Sequence, residues 1–127
     1  MPENHLFEYA IIRIVPRVER EEFLNVGVIL YCQKLRFLKA LFLIDEARFR
    51  CFSEDLDIAE IKNYLLAVER ICLGGKEAGP IGELDIASRF RWLTAIRSTV
   101  VQTSKVHPGL SENVEEALQR LYNQLVL

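Results

Sequence analysis

The chain is poor in the residues that build metal centres and disulfide frameworks. Its 127 residues include only three cysteines and two histidines. Cys32, Cys51 and Cys72 are odd in number, and no two of them have the spacing of a Cys-x-x-Cys pair. Each lies within the apolar pattern of a strand or helix, so we expect all three to be reduced and to fill the core. The sequence therefore predicts no disulfide, no metal site and no cofactor.

Long apolar runs and targeting signals are also lacking. The longest apolar stretches, around Val26–Cys32 and Leu41–Ile44, fall far short of the roughly 20 residues that a membrane-spanning helix needs. The N-terminal residues, Met1 to His5, lack the basic region and apolar core of a signal peptide. We therefore expect a cytoplasmic protein that has no contact with a membrane.

Acidic residues are absent from one long stretch of a chain that is acidic as a whole. From Ile86 to Ser111 there is no Asp or Glu, although the whole chain carries a formal net charge of −2. The cations of this basic segment are Arg89, Arg91, Arg97 and Lys105, and its one histidine is His107. Such an asymmetry favours a surface that attracts an anion or an acidic partner.

Apolar periodicity predicts four strands and four helices. The strands are expected at Leu6–Val15, Phe23–Cys32, Arg36–Ile44 and Arg97–Val106, the last of them ended by His107-Pro108-Gly109. The helices are expected to begin after Asp45, Asp57, Asp85 and Ser111, because each of these residues can cap the first turn.

The order of these elements predicts the fold class. Three strands come first, and the first of them is apolar on both faces, which is typical of an inner strand. Grouped strands followed by helices indicate an α+β fold. We therefore expect one domain over residues 1–127, with a mainly antiparallel sheet of about four strands and helices packed on one face.

Several motifs together resemble one family. They are Tyr9–Pro16, Glu22–Val28, Arg89–Leu93, and the stretch from Arg97-Ser98 through Gln102 and Ser104 to His107-Pro108-Gly109. In this order they are similar to the small bacterial family called domain of unknown function 3037, and the likeness runs from about Tyr9 to Leu125. The resemblance implies no established activity. It implies an association with kinases of the HipA type, and therefore a partner or regulator of such a kinase.

The arginines of the basic segment are candidate anion-binding residues. Guanidinium groups suit planar and tetrahedral oxyanions, and Ser98 and Gln102 would add hydrogen-bond donors to Arg89, Arg91 and Arg97. The alternative is that these arginines pair with acidic residues of the same chain. Trp92 lies between two arginines and is either an interface anchor or a core residue beside Phe90 and Leu93.

Two further pairs of residues are weaker candidates. Ser104 and His107 could act as a nucleophile and its base, but no acid within the segment would orient the histidine, and both residues could instead satisfy a turn. Arg13 falls on an apolar strand face, where a charge is costly unless it is paired, for example with Glu22. If the first two strands are neighbours, Arg13 lies near Asn25 in a cleft.

Three functions remain open at this point. The leading prediction is a protein-interaction or regulatory module, with a HipA-type kinase as its partner and the basic segment as its contact surface. The first alternative is a nucleic-acid or nucleotide binder that uses the same arginines. The second alternative is a small hydrolase or nuclease that uses Ser104 and His107. The absence of a complete catalytic constellation favours a protein that is not an enzyme.

Overall fold

A computed structural model describes residues 3–97 and 99–127. The predicted site residue Ser98 lies outside these described residues. The α+β class is confirmed. The elements in chain order are β1 (His5–Ile14), β2 (Leu24–Cys32), β3 (Phe37–Phe42), α1 (Glu46–Phe52), α2 (Ile58–Leu73), α3 (Ile86–Leu93), β4 (Val101–Thr103), β5 (His107–Ser111) and α4 (Val114–Leu125). Among the described residues, no helix is both long enough and apolar enough to cross a membrane.

All the strand pairings are antiparallel, and β1 lies in the middle of the sheet. It pairs with β2 along one side and with both β4 and β5 along the other, and β3 pairs with β2. The interior position of β1 agrees with its two apolar faces, since both must be covered. The sheet therefore ends at β3 on one side and at β4 and β5 on the other.

The fourth predicted strand differs from the observed structure. Instead of one strand over Arg97–Val106, the chain forms the short β4 and then β5, so His107-Pro108-Gly109 begins a strand rather than ending one. Pro108 lacks a backbone N–H, but β5 lies at the sheet edge, where a proline is tolerated. Between the two strands, Ser104 still bonds to β1 through its backbone N–H and its side chain.

Helices cover both faces of the sheet, which differs from the predicted one-sided packing. Helices α1, α2 and α3 pack on the face that carries Ile29 and Tyr31, whereas α4 packs on the face that carries Val28, Leu30 and Cys32. The physical reason lies in β2. Alternate residues of a strand point to opposite faces of the sheet, and the residues of β2 are apolar on both faces. Each apolar face of the sheet must therefore be covered by its own helix or helices.

A bulge in β2 changes which face its first residues occupy. Ile12 of β1 pairs with Gly27, but the next residue, Arg13, pairs with Asn25, so Val26 is an extra residue in β2. Gly27 is needed beside the bulge, because a Cβ atom there would lie 2.7 Å from the carbonyl oxygen of Leu41. The bulge turns Asn25 toward the face covered by α4.

Local capping signals predicted three of the four helix starts. The side chains of Asp45, Asp57 and Asp85 each accept a hydrogen bond from the backbone three residues later. The prediction that Ser111 caps the last helix was wrong, because Asn113 caps α4 instead. Ser111 is the last residue of β5, and its hydroxyl accepts a hydrogen bond from the N–H of Asn113.

Candidate functional site

Arg89 caps the C-terminal end of α2. Its Nη1 donates to the carbonyl oxygens of Ile71 and Cys72, at 2.8 and 2.9 Å, and its Nε donates to the carbonyl of Leu84 at 3.2 Å. The last carbonyls of a helix lack partners within the helix, and they lie at the negative end of its dipole. The guanidinium of Arg89 therefore stabilises the end of α2. The alternative given for this arginine was a contact with an acidic side chain, but its partners are backbone oxygens.

Arg91 forms an ion pair with Glu8 of β1. Its two terminal nitrogens lie 2.8 and 3.2 Å from the two carboxylate oxygens, which is a bidentate arrangement. The hydrogen bond to Glu8 raises the pKa of Arg91 above its ordinary value. This contact matches the alternative given for the arginines, namely pairing within the chain.

Arg97 and Trp92 form a stacked pair at the end of α3. The guanidinium carbon of Arg97 lies 4.0 Å from the centre of the indole ring, and the group also donates to the hydroxyl of Tyr64 at 3.0 Å and to the carbonyl of Trp92. Trp92 is 38% exposed, which argues against the core residue, one of the two interpretations of this tryptophan, and leaves the interface anchor as a prediction. The pair is a partly exposed, rigid feature of the surface.

The hydroxyl of Ser104 is hydrogen-bonded to backbone groups. Its buried hydroxyl accepts the N–H of Ile11 at 2.8 Å and donates to the carbonyl of Lys105 at 2.9 Å. His107 is exposed and packs its ring against Tyr9, with 5.3 Å between ring centres. No hydrogen bond joins Ser104 to His107 among the described residues. The contacts favour the alternative in which Ser104 satisfies local backbone, and the hydrolase hypothesis stays a prediction without geometric support.

Three polar residues meet on neighbouring strands beneath the C-terminal end of α4. Arg13 of β1 lies directly opposite Asn25 of β2 on one side and Gln102 of β4 on the other. The amide nitrogen of Asn25 donates to the carbonyl of Leu125 in α4 at 3.2 Å, and that of Gln102 donates to the carbonyl of Thr99 at 2.8 Å. The predicted closeness of Arg13 and Asn25 is thus found in the structure.

The guanidinium of Arg13 has no acidic partner among the described residues. Its central carbon lies 4.0 Å from the ring centre of Phe23, which is 45% exposed. Its Nε is buried and has no hydrogen-bond partner in the part of the chain that the structure describes, and burial lowers the pKa of the group from its ordinary value. Glu22, the partner suggested by the sequence, pairs with Arg20 instead.

These residues place one cation, one aromatic ring and two side-chain amides close together. Arg13, Phe23, Asn25 and Gln102 are called the Arg13 site below. The buried Nε of Arg13 needs an acceptor, while the buried Oδ1 of Asn25, which also has no partner among the described residues, needs a donor. Unpaired buried polar groups cost free energy. An anionic acceptor would satisfy the guanidinium of Arg13, whereas the Oδ1 of Asn25 needs a separate donor, such as an N–H group or a water molecule. The Phe23 ring fixes the plane of the guanidinium.

The sequence interpretation missed Phe23 and the contribution of α4. Phe23 directly precedes β2, and its stacking on Arg13 depends on the pairing of β1 with β2 and on the bulge between them. A signal was present in the apolar strand face that carries Arg13, because a cation there requires an unusual environment. No pattern in the sequence indicates that the end of α4 lies beside it.

The cysteines differ in exposure. Cys32 and Cys72 are buried, as expected, but Cys51 is exposed, so its prediction as a core residue was wrong. Burial raises the pKa of the Cys72 thiol to about 12. Among the described residues, no cluster of three or more His, Cys, Asp or Glu side chains is arranged to hold a metal ion.

The comparison with known families gives one match. The family described as "Protein of unknown function (DUF3037)" matches residues 9–126. The chain belongs to this family. The match covers β1 from Tyr9 onward and every later element, so it includes all four residues of the Arg13 site. Comparisons with curated proteins and with solved structures found no match.

Proposed function

We propose that this DUF3037 protein is an interaction module that binds a carboxylate group of another protein at the Arg13 site. The observation that carries the proposal is the buried Nε of Arg13, which has no partner among the described residues. The other predicted arginines, Arg89, Arg91 and Arg97, already bind groups of their own chain. The proposed contact surface therefore moves from the basic segment to the sheet, with Gln102 belonging to both.

The charge of the site favours a carboxylate over a phosphate. Arg13 supplies one positive charge, and its planar group suits two oxygens in one plane. The neighbouring Asn25 donates to Leu125 at the C-terminal end of α4, where the helix dipole is negative. A doubly charged phosphate would meet this negative potential with only one cation, whereas a singly charged carboxylate is balanced by Arg13.

A protein partner fits the surroundings of the site better than a free metabolite does. The exposed ring of Phe23 offers apolar contact beside the charge, a combination typical of interface anchors. An Asp or Glu side chain on a folded partner can reach the guanidinium while its own surface covers the ring. The family resemblance names a HipA-type kinase as the first partner to test.

The proposed binding of a carboxylate at the Arg13 site is tested by following the Nε–H signals of the arginines in an ¹⁵N NMR titration. The probes are N-acetylglutamate, inorganic phosphate and a short single-stranded DNA. We expect saturating shifts at Arg13 with N-acetylglutamate and none at Arg91, whose carboxylate partner is already in place. The variants Arg13→Gln and Arg91→Gln assign the two signals. Absence of any shift at Arg13, or a stronger response to phosphate or DNA, would contradict the proposal.

The partner is tested by capture from the native host, with the wild type and Arg13→Gln as baits. We expect a kinase or another stoichiometric protein with the wild type and its loss with Arg13→Gln. Arg91→Gln is the matched control, because it removes an equal charge from an ion pair within the chain. Equal recovery by all three baits would show that the partner binds elsewhere. Recovery of the bait alone would contradict a stable interaction module.

A further inference from the structure

The Arg13 site holds an unpaired donor and an unpaired acceptor side by side. Arg13 of β1 lies directly opposite Asn25 of β2. Residues that face one another in an antiparallel ladder carry their side chains on the same face, with Cβ atoms about 5 Å apart. Among the described residues, neither the Nε of Arg13 nor the Oδ1 of Asn25 has a hydrogen-bond partner. One small group that carries both an acceptor and a donor can therefore satisfy both atoms.

Helix α4 fixes the orientation of the Asn25 amide. The amide nitrogen donates to the carbonyl of Leu125 at 3.2 Å, and a carbonyl oxygen can only accept. The oxygen of the amide is therefore the atom that lacks a partner, so the group missing at Asn25 is a donor. Leu125 is the last residue of α4, where the negative end of the helix dipole also favours a donor.

Phe23 adds an apolar requirement to these two polar ones. Its ring centre lies 4.0 Å from the guanidinium carbon of Arg13, and the residue lies just before β2, outside the ladder. Because both unpaired atoms are buried, a ligand reaches them only when a neighbour moves. The partly exposed ring of Phe23 is such a neighbour, and an apolar side chain of the ligand would replace the contacts that the ring gives up.

We infer that the carboxylate which binds the Arg13 site is the C-terminal carboxylate of the partner, on a residue with an apolar side chain. This inference rests on the proposed carboxylate contact at Arg13. A single C-terminal residue supplies two coplanar oxygens for the guanidinium, an amide N–H for the Oδ1 of Asn25, and a free side chain for the ring of Phe23. An Asp or Glu within a chain uses its side chain as the carboxylate, so other residues of the partner must cover the ring.

Small carboxylic acids test this inference on the full chain, with the Nε–H signal of Arg13 as the measure of binding. N-acetyl-leucine carries all three groups, and 4-methylpentanoate is the same acid without the acetamido group. We expect N-acetyl-leucine to bind about fivefold more tightly than 4-methylpentanoate, which corresponds to one hydrogen bond between neutral groups. N-acetylglycine lacks the apolar side chain and is expected to bind about fivefold more weakly than N-acetyl-leucine, since the leucine side chain is partly buried against the ring.

The role of Asn25 is tested by the ratio of two affinities. Asn25→Ala removes the acceptor, so the affinity ratio of N-acetyl-leucine to 4-methylpentanoate is expected to fall from about five to about one. The ratio is the measure because a general disturbance of the site weakens the binding of both acids alike. Asn123→Ala is the control and is expected to keep the ratio, because it removes an amide of α4 whose oxygen already accepts a hydrogen bond from Gln119.

The position of the carboxylate is tested with N-acetylglutamic acid 1-amide, which keeps only the side-chain carboxylate and is expected to bind more weakly than N-acetyl-leucine. Tighter binding of this amide, or equal binding of N-acetyl-leucine and 4-methylpentanoate, would overturn the inference but leave the carboxylate contact at Arg13 in place. A ratio that is unchanged in Asn25→Ala would overturn it as well. If Asn25→Ala does not fold, the comparison of the two acids on the wild type still decides. Absence of binding by every acid would contradict the proposed function itself.

Discussion

Replacing Arg89 by methionine should destabilise the protein far more than the same change at Arg91. Arg89 donates three hydrogen bonds to backbone carbonyls, two of them at the end of α2. Methionine keeps an apolar stem of similar length but removes every donor. The carbonyls of Ile71 and Cys72 then lose their partners in a partly buried position, and the negative end of the α2 dipole loses its cation.

The magnitude follows from these contacts. A hydrogen bond from a charged group contributes about 1.5–3 kcal/mol when it is buried, and partial exposure reduces this to about 1 kcal/mol for each of the two bonds at the end of α2. The dipole interaction adds about 0.5 kcal/mol. We therefore expect a loss of about 2.5 kcal/mol. For a domain of this length, with an unfolding entropy of about 2.1 cal/mol/K per residue, the melting temperature should fall by about 9 °C.

Urea unfolding followed by circular dichroism measures the difference. Arg91→Met is the matched control, because it removes the same group from α3 but breaks a pair in which the arginine side chain is 59% exposed. Exposed pairs contribute less than about 1 kcal/mol. A loss at Arg91 that equals or exceeds the loss at Arg89 would refute the reasoning, since surface charge and not helix capping would then govern stability.

Three further predictions concern single buried groups. Ser104→Ala leaves the N–H of Ile11 without its acceptor and should lower the free energy of urea unfolding by about 1–3 kcal/mol. His107→Ala on the exposed edge should lower it by less than about 0.5 kcal/mol. Similar losses for the two variants would contradict the structural role given to Ser104. A thiol reagent at about pH 8 should label Cys51 rapidly and leave Cys72 unmodified until the protein unfolds, because Cys51 is exposed and Cys72 is buried with a pKa raised to about 12. Since the thiol of Cys72 ionises near its ordinary pKa of 9.0 only in the unfolded chain, stability should also fall as the pH rises above about 9; fast labelling of Cys72 in the folded protein would contradict both expectations.

Local signals predicted the fold where the decisive contacts are local. The Asp57 side chain caps α2 by binding the N–H of Glu60, three residues away, so the start of the helix can be predicted from the chain itself. The break between β4 and β5 depends instead on the hydrogen bond from Ile11 to Ser104, which lies 93 residues later. No periodicity within either segment carries that information. The placement of α4 on its own face is non-local in the same way.

The candidate site was predictable only in part. Arg13 stood out because a cation interrupts an apolar strand face, and antiparallel pairing brought Asn25 beside it. The bulge at Val26 decides that both residues share one face, and a bulge of this kind has no distinct sequence pattern. The stacking on Phe23 follows from the same local geometry. The sequence thus indicated the residue on which the proposed site depends but not its surroundings.

The basic segment shows why an asymmetric charge in a sequence need not become a charged surface. Its lack of acids suggested that its arginines were unpaired, but the partner of Arg91 is Glu8, 83 residues earlier. Arg89 uses carbonyl oxygens, which every residue possesses and which no count of acidic residues includes. A basic segment whose arginines are held in this way has less charge left to offer a partner. Arg13, alone among apolar neighbours in the sequence, retains a donor that no described residue satisfies, and the proposed carboxylate contact depends on this donor.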